Sequence, residues 1–211
     1  MSAVTRYLDQ CKNPKGWLGK FVLWTMNRRH SRVTDWGLKH VSVGAQDTIL
    51  DIGCGGGRTL AKLAAIATEG KVYGVDHSPT GVALARRSNK RLIETGHAEI
   101  QQGSVSQLPF PDDMFDVITA VETHFFWPDL PLDMREVLRV LKPSGTFAII
   151  AEMYGGGKYD GLARKLGEIT NMTLLSKDGH RDLFTNAGFC EVRVADDYDK
   201  GWICALGRKA S

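Results

Sequence analysis

The stretch that decides the fold is residues 48–59, which read T-I-L-D-I-G-C-G-G-G-R-T. Its first half is apolar around one acid, Asp51, and its second half holds four glycines in five positions. Apolar residues followed by a glycine cluster indicate a strand that runs into a tight turn and then a helix. Glycine adopts positive φ without strain and lets a ligand approach the main chain closely. The sequence therefore predicts that a cofactor lies across this turn.

A second strand with an acid at its end follows in residues 70–76, which read G-K-V-Y-G-V-D. Its acid, Asp76, comes 23 residues after Gly53. An acid at about this separation accepts hydrogen bonds from ribose hydroxyls in nucleotide-binding α/β folds. We therefore expect Asp76 to bind the two hydroxyls of a ribose.

The charge beside the glycine turn separates two kinds of cofactor. A dinucleotide would place its pyrophosphate close to the Asp51 carboxylate, which is unfavourable. S-adenosylmethionine instead carries an ammonium and a sulfonium, and a carboxylate attracts both. Arg58 also occupies the position where the dinucleotide fingerprint G-x-G-x-x-G requires its last glycine. These residues favour S-adenosylmethionine and disfavour an NAD-dependent oxidoreductase.

Several segments, in order, resemble class I S-adenosylmethionine-dependent methyltransferases. The pattern D-x-G-x-G-x-G at 51–57 resembles motif I of that family. Residues 103–110, G-S-V-S-Q-L-P-F, and the F-D-V-I that starts at 115 resemble its adenine-contacting loop and next strand. Ser104 replaces the usual Asp there, and a hydroxyl is a weaker, uncharged acceptor. Residues 138–147, L-R-V-L-K-P-S-G-T-F, are similar to the segment before the fifth strand, and we interpret them as structural.

The resemblance, which spans roughly residues 44 to 208, also implies a set of site residues. The cofactor-binding candidates are Asp51, Gly53, Cys54, Gly55, Asp76, His77, Ser104, Val105 and Val121.

The fourth strand leads into residues 121–128, V-E-T-H-F-F-W-P, whose first residues the resemblance implies lie beside the methionine part of the cofactor. His124 is a candidate general base because an imidazole titrates near neutral pH, and Glu122 is a second catalytic candidate. A positioned, non-catalytic histidine fits this sequence equally well. The aromatic residues at 125–127 fit either a substrate pocket or the core.

Strands and helices alternate along the chain, which indicates an α/β fold with a largely parallel sheet covered on both faces. Strands are predicted near 48–52, 71–75, 98–102, 115–121, 145–152, 189–195 and 201–207, and helices near 58–68, 79–94, 130–141 and 177–187. The last two strands lie too close in sequence for a crossover helix and should pair antiparallel. The resemblance implies a Rossmann-like fold with seven strands in the order 3-2-1-4-5-7-6.

The N-terminal part of the chain is basic. Residues 1–40 hold eight Lys or Arg against two Asp, a net charge of +6 in a chain of net +3. Apolar residues near helical spacing predict an amphipathic helix at about 15–28. This helix could pack on the core, cover the cofactor and substrate, or contact a membrane surface or nucleic acid. We expect one domain, 1–211, in which 1–43 form a basic helical cap and 44–211 a core that completes its sheet without the cap.

The composition, and the absence of several known motifs, exclude some classes of function. No apolar run is long enough to span a membrane, and the chain begins without a signal-peptide pattern, so a cytoplasmic location is expected. The four cysteines show no C-x-x-C pair or Cys-His spacing suited to zinc, so no metal site is predicted. The segment after strand four lacks the N-P-P-Y type motif of methyltransferases acting on nucleic acid bases. We therefore expect methyl transfer to a small-molecule acceptor, and the alternative is a non-catalytic S-adenosylmethionine-binding module.

Overall fold

The computed structural model describes residues 30–170 and 172–211. Its strands are β1 (Thr48–Ile52), β2 (Lys71–Asp76), β3 (Ala98–Gln102), β4 (Phe115–Val121), β5 (Leu141–Glu152), β6 (Cys190–Asp197) and β7 (Trp202–Arg208). Its α-helices are α1 (Ser31–Leu38), α2 (Arg58–Ala64), α3 (Pro79–Ser88), α4 (Lys90–Glu94), α5 (Leu130–Val140), α6 (Asp160–Thr170) and α7 (Lys177–Ala187). A short 3-10 helix spans His124–Phe126.

All seven strands form one sheet in the order β3-β2-β1-β4-β5-β7-β6. Strands β1 to β5 pair in parallel, whereas β7 pairs antiparallel with both β5 and β6. The predicted strand order and the antiparallel C-terminal hairpin are confirmed. Because the carboxyl ends of the parallel strands meet at one edge, the segments that leave β1, β2, β4 and β5 lie close together there.

The central strands are buried on both faces because their side chains alternate between two apolar layers. On β1, Leu50 and Ile52 join the layer that α5 and α7 cover, while Ile49 joins the layer that α2 and α3 cover. This double burial explains why β1 reads as a continuous apolar run. Asp51, which is also buried, is the exception in that run.

Local sequence signals start three of the helices. The side chains of Ser78, Asp129 and Ser176 each accept a hydrogen bond from a main-chain N–H in the first turn of the helix that follows. Such caps satisfy donors that a helix start leaves unpaired. Proline in the first turn of α3 and α5 adds to the signal, since its missing N–H costs nothing there.

Two predicted helices end earlier than expected. The predicted helix 79–94 is divided at Asn89, whose main chain leaves the helical region at φ −111° and ψ 23°. The Asn89 amide donates to the carbonyls of Gly57 and Ala85, so a long-range contact breaks the helix. Helix α2 ends at Ala64 because the chain turns there and Glu69 N–H bonds to Ala45.

Other differences concern elements that were absent from the prediction. Helices α1 and α6 were not predicted, and β5 begins at Leu141, where it pairs with Phe115 before an irregular step in the register. The predicted helix at about 15–28 and most of the predicted cap lie outside the described residues.

The described part of the predicted cap packs on the sheet. Val33 of α1 is fully buried in a cluster with Ile150 of β5 and Cys204 of β7. Gly37 faces Ile150 so closely that a Cβ there would lie 2.5 Å from the Ile150 side chain. The sheet has all seven of its strands without α1, as expected. One face of the sheet would lack part of its cover without α1, because Val33 and Gly37 pack there.

Candidate cofactor and active site

The turn after β1 requires glycine for two reasons. Gly53, Gly55 and Gly57 have φ of 71°, 51° and 78°, which is a region that favours glycine. A Cβ on Gly53 would also lie 2.8 Å from the Cβ of Thr123, in the segment that leaves β4. The turn after β1 and the exit of β4 are therefore in contact, as the predicted site requires.

The main-chain N–H groups of this turn bond within the protein. Gly53 and Cys54 both donate to the Val75 carbonyl, at 2.8 and 3.1 Å, and Gly57 donates to the Cys54 carbonyl at 2.8 Å. The Cys54 thiol is buried, and a Cβ on Gly74 would lie 3.0 Å from its sulfur. Burial raises the pKa of the Cys54 thiol well above its usual value. Contact between Cys54 and a cofactor would therefore use its main chain and not the thiol.

Asp76 connects the turn to the end of β2. Its carboxylate accepts the N–H of Gly55 on Oδ2 and the N–H of Ser78 on Oδ1, both at 2.8 Å. His77 is exposed, and its Nδ1 lies 3.8 Å from Asp76 Oδ1. An ionised carboxylate offers about four acceptor sites, so two remain for ribose hydroxyls. The residues present thus fit a ribose.

Asp51 is a buried acid just before the turn. Its Oδ1 accepts the Thr119 hydroxyl at 2.8 Å. Burial, the largest cause, raises the pKa of Asp51 to about 7, the Thr119 hydrogen bond lowers it and the charge of Asp76 raises it. Two acids whose charges repel each other favour a positively charged ligand between them. This arrangement fits the ammonium and sulfonium of S-adenosylmethionine.

Asn89 is a site residue that the sequence did not reveal. It is buried, and its amide donates to the Gly57 carbonyl at 2.9 Å, which holds the end of the glycine turn. The only sequence feature that could have pointed to Asn89 is a polar residue inside a predicted amphipathic helix. Such residues line the solvent face of almost every surface helix, so this one did not stand out.

The predicted adenine loop lies beyond β3. Ser104 is exposed, and its hydroxyl accepts the N–H of Ser106 at 3.2 Å. Val105 is buried in the core. The Ser104 side chain is therefore open to solvent, while Val105 anchors the loop.

Arg139 of α5 holds the rest of this loop. Its guanidinium donates to the carbonyls of Leu108 at 3.2 Å and Phe110 at 2.9 Å, and to the carboxylate of Asp112 at 2.6 Å. Glu136 pairs with Arg139 and also accepts the Leu108 N–H at 2.8 Å. The hydrogen bond from Arg139 lowers the pKa of Glu136. Arg139, which lies in the segment 138–147, and Glu136 thus hold this loop in place.

Val121 and Glu122 stand where β4 ends. Val121 is half-buried, and Glu122 has a φ of 59°. The Glu122 carboxylate accepts the main-chain N–H of Glu152, at the end of β5. His30 Nδ1 lies 3.7 Å from Glu122 Oε2 and 3.5 Å from Glu152 Oε2. One potential ligand atom from each of these three residues falls within 4.8 Å of the others, a spacing that a metal ion would accept.

His124 lies near a second histidine that was not predicted. Both His124 and His180 of α7 are buried, and their Nε2 atoms are 3.3 Å apart. His180 Nδ1 is 2.8 Å from the Ser176 carbonyl, whereas His124 Nδ1 has no hydrogen-bond partner among the described residues. Burial, with the charge of His180 as a smaller cause, lowers the pKa of His124 well below its usual value.

The aromatic residues after His124 divide between two roles. Trp127 is buried and stacks on Phe147, with ring centroids 6.2 Å apart, and Phe125 is buried beside Tyr154. These two side chains belong to the core, in agreement with that alternative. Phe126 is only partly buried against the same cluster.

Comparison with known proteins agrees with this geometry. Residues 50–149 match the sequence profile of a family described as "Methyltransferase domain". These matched residues belong to this methyltransferase family. An O-methyltransferase of Penicillium expansum is 31% identical over 150 residues, which are 70% of this chain and 54% of that protein. Methyltransferase GfsG of Streptomyces halstedii is 33% identical over 170 residues, or 78% of this chain and 60% of that protein. The chain thus spans little more than half the length of these curated relatives.

Solved methyltransferase structures share the fold. A chain of the complex between the Haloferax volcanii Trm112 methyltransferase activator and a methyltransferase superimposes with a TM-score of 0.80 at 24% identity, covering 92% of this chain and 96% of that chain. Geranyl diphosphate C-methyltransferase of Streptomyces coelicolor, in complex with S-adenosyl-L-homocysteine, superimposes with a TM-score of 0.72 at 16% identity, covering 87% and 77%. Within the described ranges, no helix of this methyltransferase domain has the length and apolar character of a membrane span.

Proposed function

We propose that the protein binds S-adenosylmethionine and transfers its methyl group to a small-molecule acceptor. The sulfonium would supply an activated methyl carbon, which the acceptor atom attacks in line while the carbon–sulfur bond breaks and S-adenosylhomocysteine leaves. The protein would contribute mainly by holding the acceptor aligned with this methyl, since positioning alone accounts for much of the rate of such reactions.

The hydrogen bonds made by the main-chain N–H groups of the glycine turn are the observation on which this proposal rests. Four of its N–H groups, at 53, 54, 55 and 57, bond to acceptors inside the protein. A pyrophosphate needs free N–H donors at such a turn. It would instead meet the buried acids Asp51 and Asp76. A cofactor that is cationic at this end and carries a ribose for Asp76 fits the same atoms.

We infer the class of methyl acceptor from the names of the relatives. The Penicillium expansum relative is named an O-methyltransferase, and a cyanobacterial relative that is 35% identical over 105 residues is named a 2-phytyl-1,4-naphtoquinone methyltransferase. The first name gives oxygen as the methylated atom of that protein's acceptor, and the second gives a small organic acceptor. We extend the class, and not the individual acceptor, to this chain.

Calorimetry with S-adenosylhomocysteine and with NAD tests the cofactor assignment. S-adenosylhomocysteine should bind in the micromolar range, about −8 kcal/mol, and NAD should give no saturable heat. Binding of NAD alone would overturn the assignment. The full-length protein would then be incubated with S-adenosylmethionine and a panel of phenols, catechols, alcohols and amines. Formation of S-adenosylhomocysteine above the rate without acceptor supports an enzyme, and cofactor binding without turnover of any acceptor would favour a binding module.

A further inference from the structure

Three side chains from three elements meet at the carboxyl edge of β4 and β5. Glu122 is the first residue after β4, Glu152 is the last residue of β5, and His30 immediately precedes α1. The three side chains are only 9 to 17% exposed. Ligands in open α/β sheets bind at this edge. The residues are far apart in sequence, which is why no metal-binding spacing could be recognised.

The spacing of the three side chains fits atoms that share an ion. A charged histidine that donates to a carboxylate lies about 2.7 to 2.9 Å from it. His30 Nδ1 is farther from both carboxylates and nearly equally far from each, at 3.5 Å from Glu152 Oε2 and 3.7 Å from Glu122 Oε2. Two ligand atoms about 2.1 Å from one tetrahedrally coordinated ion lie about 3.4 Å apart. The observed separations are close to that length.

Hydrogen bonds hold the ligands in position. The other carboxylate oxygen of Glu122, Oε1, accepts the main-chain N–H of Glu152, and the Glu122 N–H donates to the Ile150 carbonyl at 2.9 Å. The His30 carbonyl accepts the N–H and the hydroxyl of Thr34 in α1, at 3.0 and 2.8 Å. Helix α1, which packs on the sheet, therefore fixes His30 beside the ends of β4 and β5. Contacts of this kind orient the ligands of metal sites.

The types of ligand indicate the class of ion. An imidazole nitrogen together with carboxylate oxygens is a ligand set of Zn²⁺, whereas Mg²⁺ and Ca²⁺ prefer oxygen alone. Three protein ligands also leave one position of a tetrahedral ion open, as in catalytic zinc sites.

We propose that His30, Glu122 and Glu152 bind one divalent transition-metal ion, for which Zn²⁺ is the best match, and that its open position takes an oxygen atom of the methyl acceptor. The second part rests on the proposed function, because Glu122 follows Val121, which is expected beside the methionine part of the cofactor. It adds a substrate class, acceptors with an oxygen atom that can coordinate the ion.

Metal binding can be measured without any acceptor. The full-length protein, treated with a chelator and dialysed, would be titrated with Zn²⁺ and with Mg²⁺ in a calorimeter. One Zn²⁺ per chain should bind in the micromolar range or tighter, and Mg²⁺ far more weakly. In NMR spectra of protein with nitrogen-15 histidine, Zn²⁺ should shift Nδ1 of His30 and leave the exposed His40 unchanged. Absence of saturable Zn²⁺ binding, or equal affinity for Mg²⁺, would overturn the proposal.

Two variants with matched controls locate the ion. Loss of an outer contact to a metal ligand costs about 10- to 100-fold in affinity, so loss of a ligand in His30→Ala or Glu152→Gln should weaken Zn²⁺ binding at least about a hundredfold. Glu152→Gln preserves the size of the side chain, so it tests the site even if His30→Ala disturbs α1. The controls, His40→Ala and Glu94→Gln, change exposed residues and should bind Zn²⁺ as the parent does. Unchanged affinity in both ligand variants would place the ion elsewhere and refute the site.

Two further measurements separate the metal site from the proposed function. Binding of S-adenosylhomocysteine without binding of Zn²⁺ would refute only the metal site, and the reverse result would refute only the proposed function. With an oxygen-containing acceptor that the panel identifies, removal of the ion should lower kcat/KM at least about tenfold, and Zn²⁺ should restore it. Equal rates with and without the ion, or a panel in which only amines react, would refute coordination of the acceptor.

Discussion

The carboxylate of Asp51 and the hydroxyl of Thr119 are joined by a hydrogen bond of 2.8 Å between the adjacent strands β1 and β4. Both side chains are buried, and no other partner of the Asp51 carboxylate is found in the described ranges. Burial raises the pKa of Asp51 to about 7, so this carboxyl group takes up a proton near neutral pH. A proton and a cationic cofactor therefore compete for this group.

We expect the affinity for S-adenosylmethionine to rise with pH from 5.5 to 7.5. Binding of a cation requires the ionised form of Asp51, whose population grows through a pKa of about 7. The affinity should increase about 25-fold over this range, in which an α-ammonium stays largely protonated. Calorimetry in buffers of different ionisation enthalpy should also detect proton release on binding at pH 6.

Two variants control for other titrating groups. Asp51→Asn cannot ionise, so its affinity should be weak and nearly independent of pH. Thr119→Val removes a hydrogen bond that lowers the pKa of Asp51, so the rise in affinity should move to higher pH. If Asp51→Asn showed the wild-type pH dependence, another group would be responsible.

The same residue should limit the stability of the free protein. The folded pKa of Asp51 is raised, so the folded state holds a proton that the unfolded chain releases between pH 4 and 7. Its contribution to the free energy of unfolding is therefore lost as pH rises through 7. Asp51→Asn should stabilise the ligand-free protein at pH 8, by on the order of 2 kcal/mol, and much less at pH 4. Thermal melts at the two pH values measure this difference, and an equal gain at both would contradict it.

Asp76→Ala should weaken binding of S-adenosylhomocysteine at least tenfold. It removes the ribose acceptor and also releases the N–H groups of Gly55 and Ser78, and bonds to a charged group contribute about 1.5 to 3 kcal/mol each. Asp47→Ala is the matched control, because Asp47 also accepts one N–H, from Gly44, but precedes β1 at the opposite edge of the sheet. Its affinity should stay within about twofold of the parent. Equal affinities of the two variants would show that another residue holds the ribose.

Residues that follow strands in sequence could be placed at the site from the sequence. Strand-helix alternation determines which strands are parallel, and parallel strands bring their carboxyl ends to one edge. Asp51, near the end of β1, Gly53, just after β1, and Asp76, at the end of β2, therefore lie at one edge of the sheet. The short link between the last two strands allowed only an antiparallel pair.

Residues that act through distant side-chain contacts could not be placed in this way. His180 is 56 residues from His124, and Asn89 is 32 residues from Gly57, with no periodic signal between them. Helix α1 has only eight residues, too few for apolar periodicity to reveal it, and is stabilised by packing on the sheet. These features depend on packing of elements whose positions the fold determines first.

Arg139→Gln should loosen the predicted adenine loop. The change removes hydrogen bonds to the part-buried carbonyls of Leu108 and Phe110 and to the exposed Asp112 carboxylate. We expect a loss of about 1 to 3 kcal/mol in stability and several-fold weaker S-adenosylhomocysteine binding. Arg135→Gln, on the exposed face of the same helix, should change both by little. If the Arg139→Gln protein were less stable but bound S-adenosylhomocysteine as well as the parent, the hydrogen bonds of Arg139 would stabilise the fold without affecting cofactor binding.

Gly37→Ala should destabilise the protein although Gly37 lies in helix α1. In an exposed helix this change stabilises by up to about 1 kcal/mol, because alanine has the higher helix propensity. At Gly37, however, the new Cβ would lie 2.5 to 2.7 Å from three carbons of Ile150, and overpacking of this kind costs about 1 to 3 kcal/mol. Gly161→Ala in α6 is the control, since its Cβ would have nothing within 4 Å and the variant should be at least as stable as the parent. Chemical denaturation of the two variants decides whether α1 packs on the sheet face as tightly as the geometry requires. Equal stability of both variants would mean that α1 yields to the added methyl group, and that the face formed by Ile150 and Cys204 does not depend on a close helix contact.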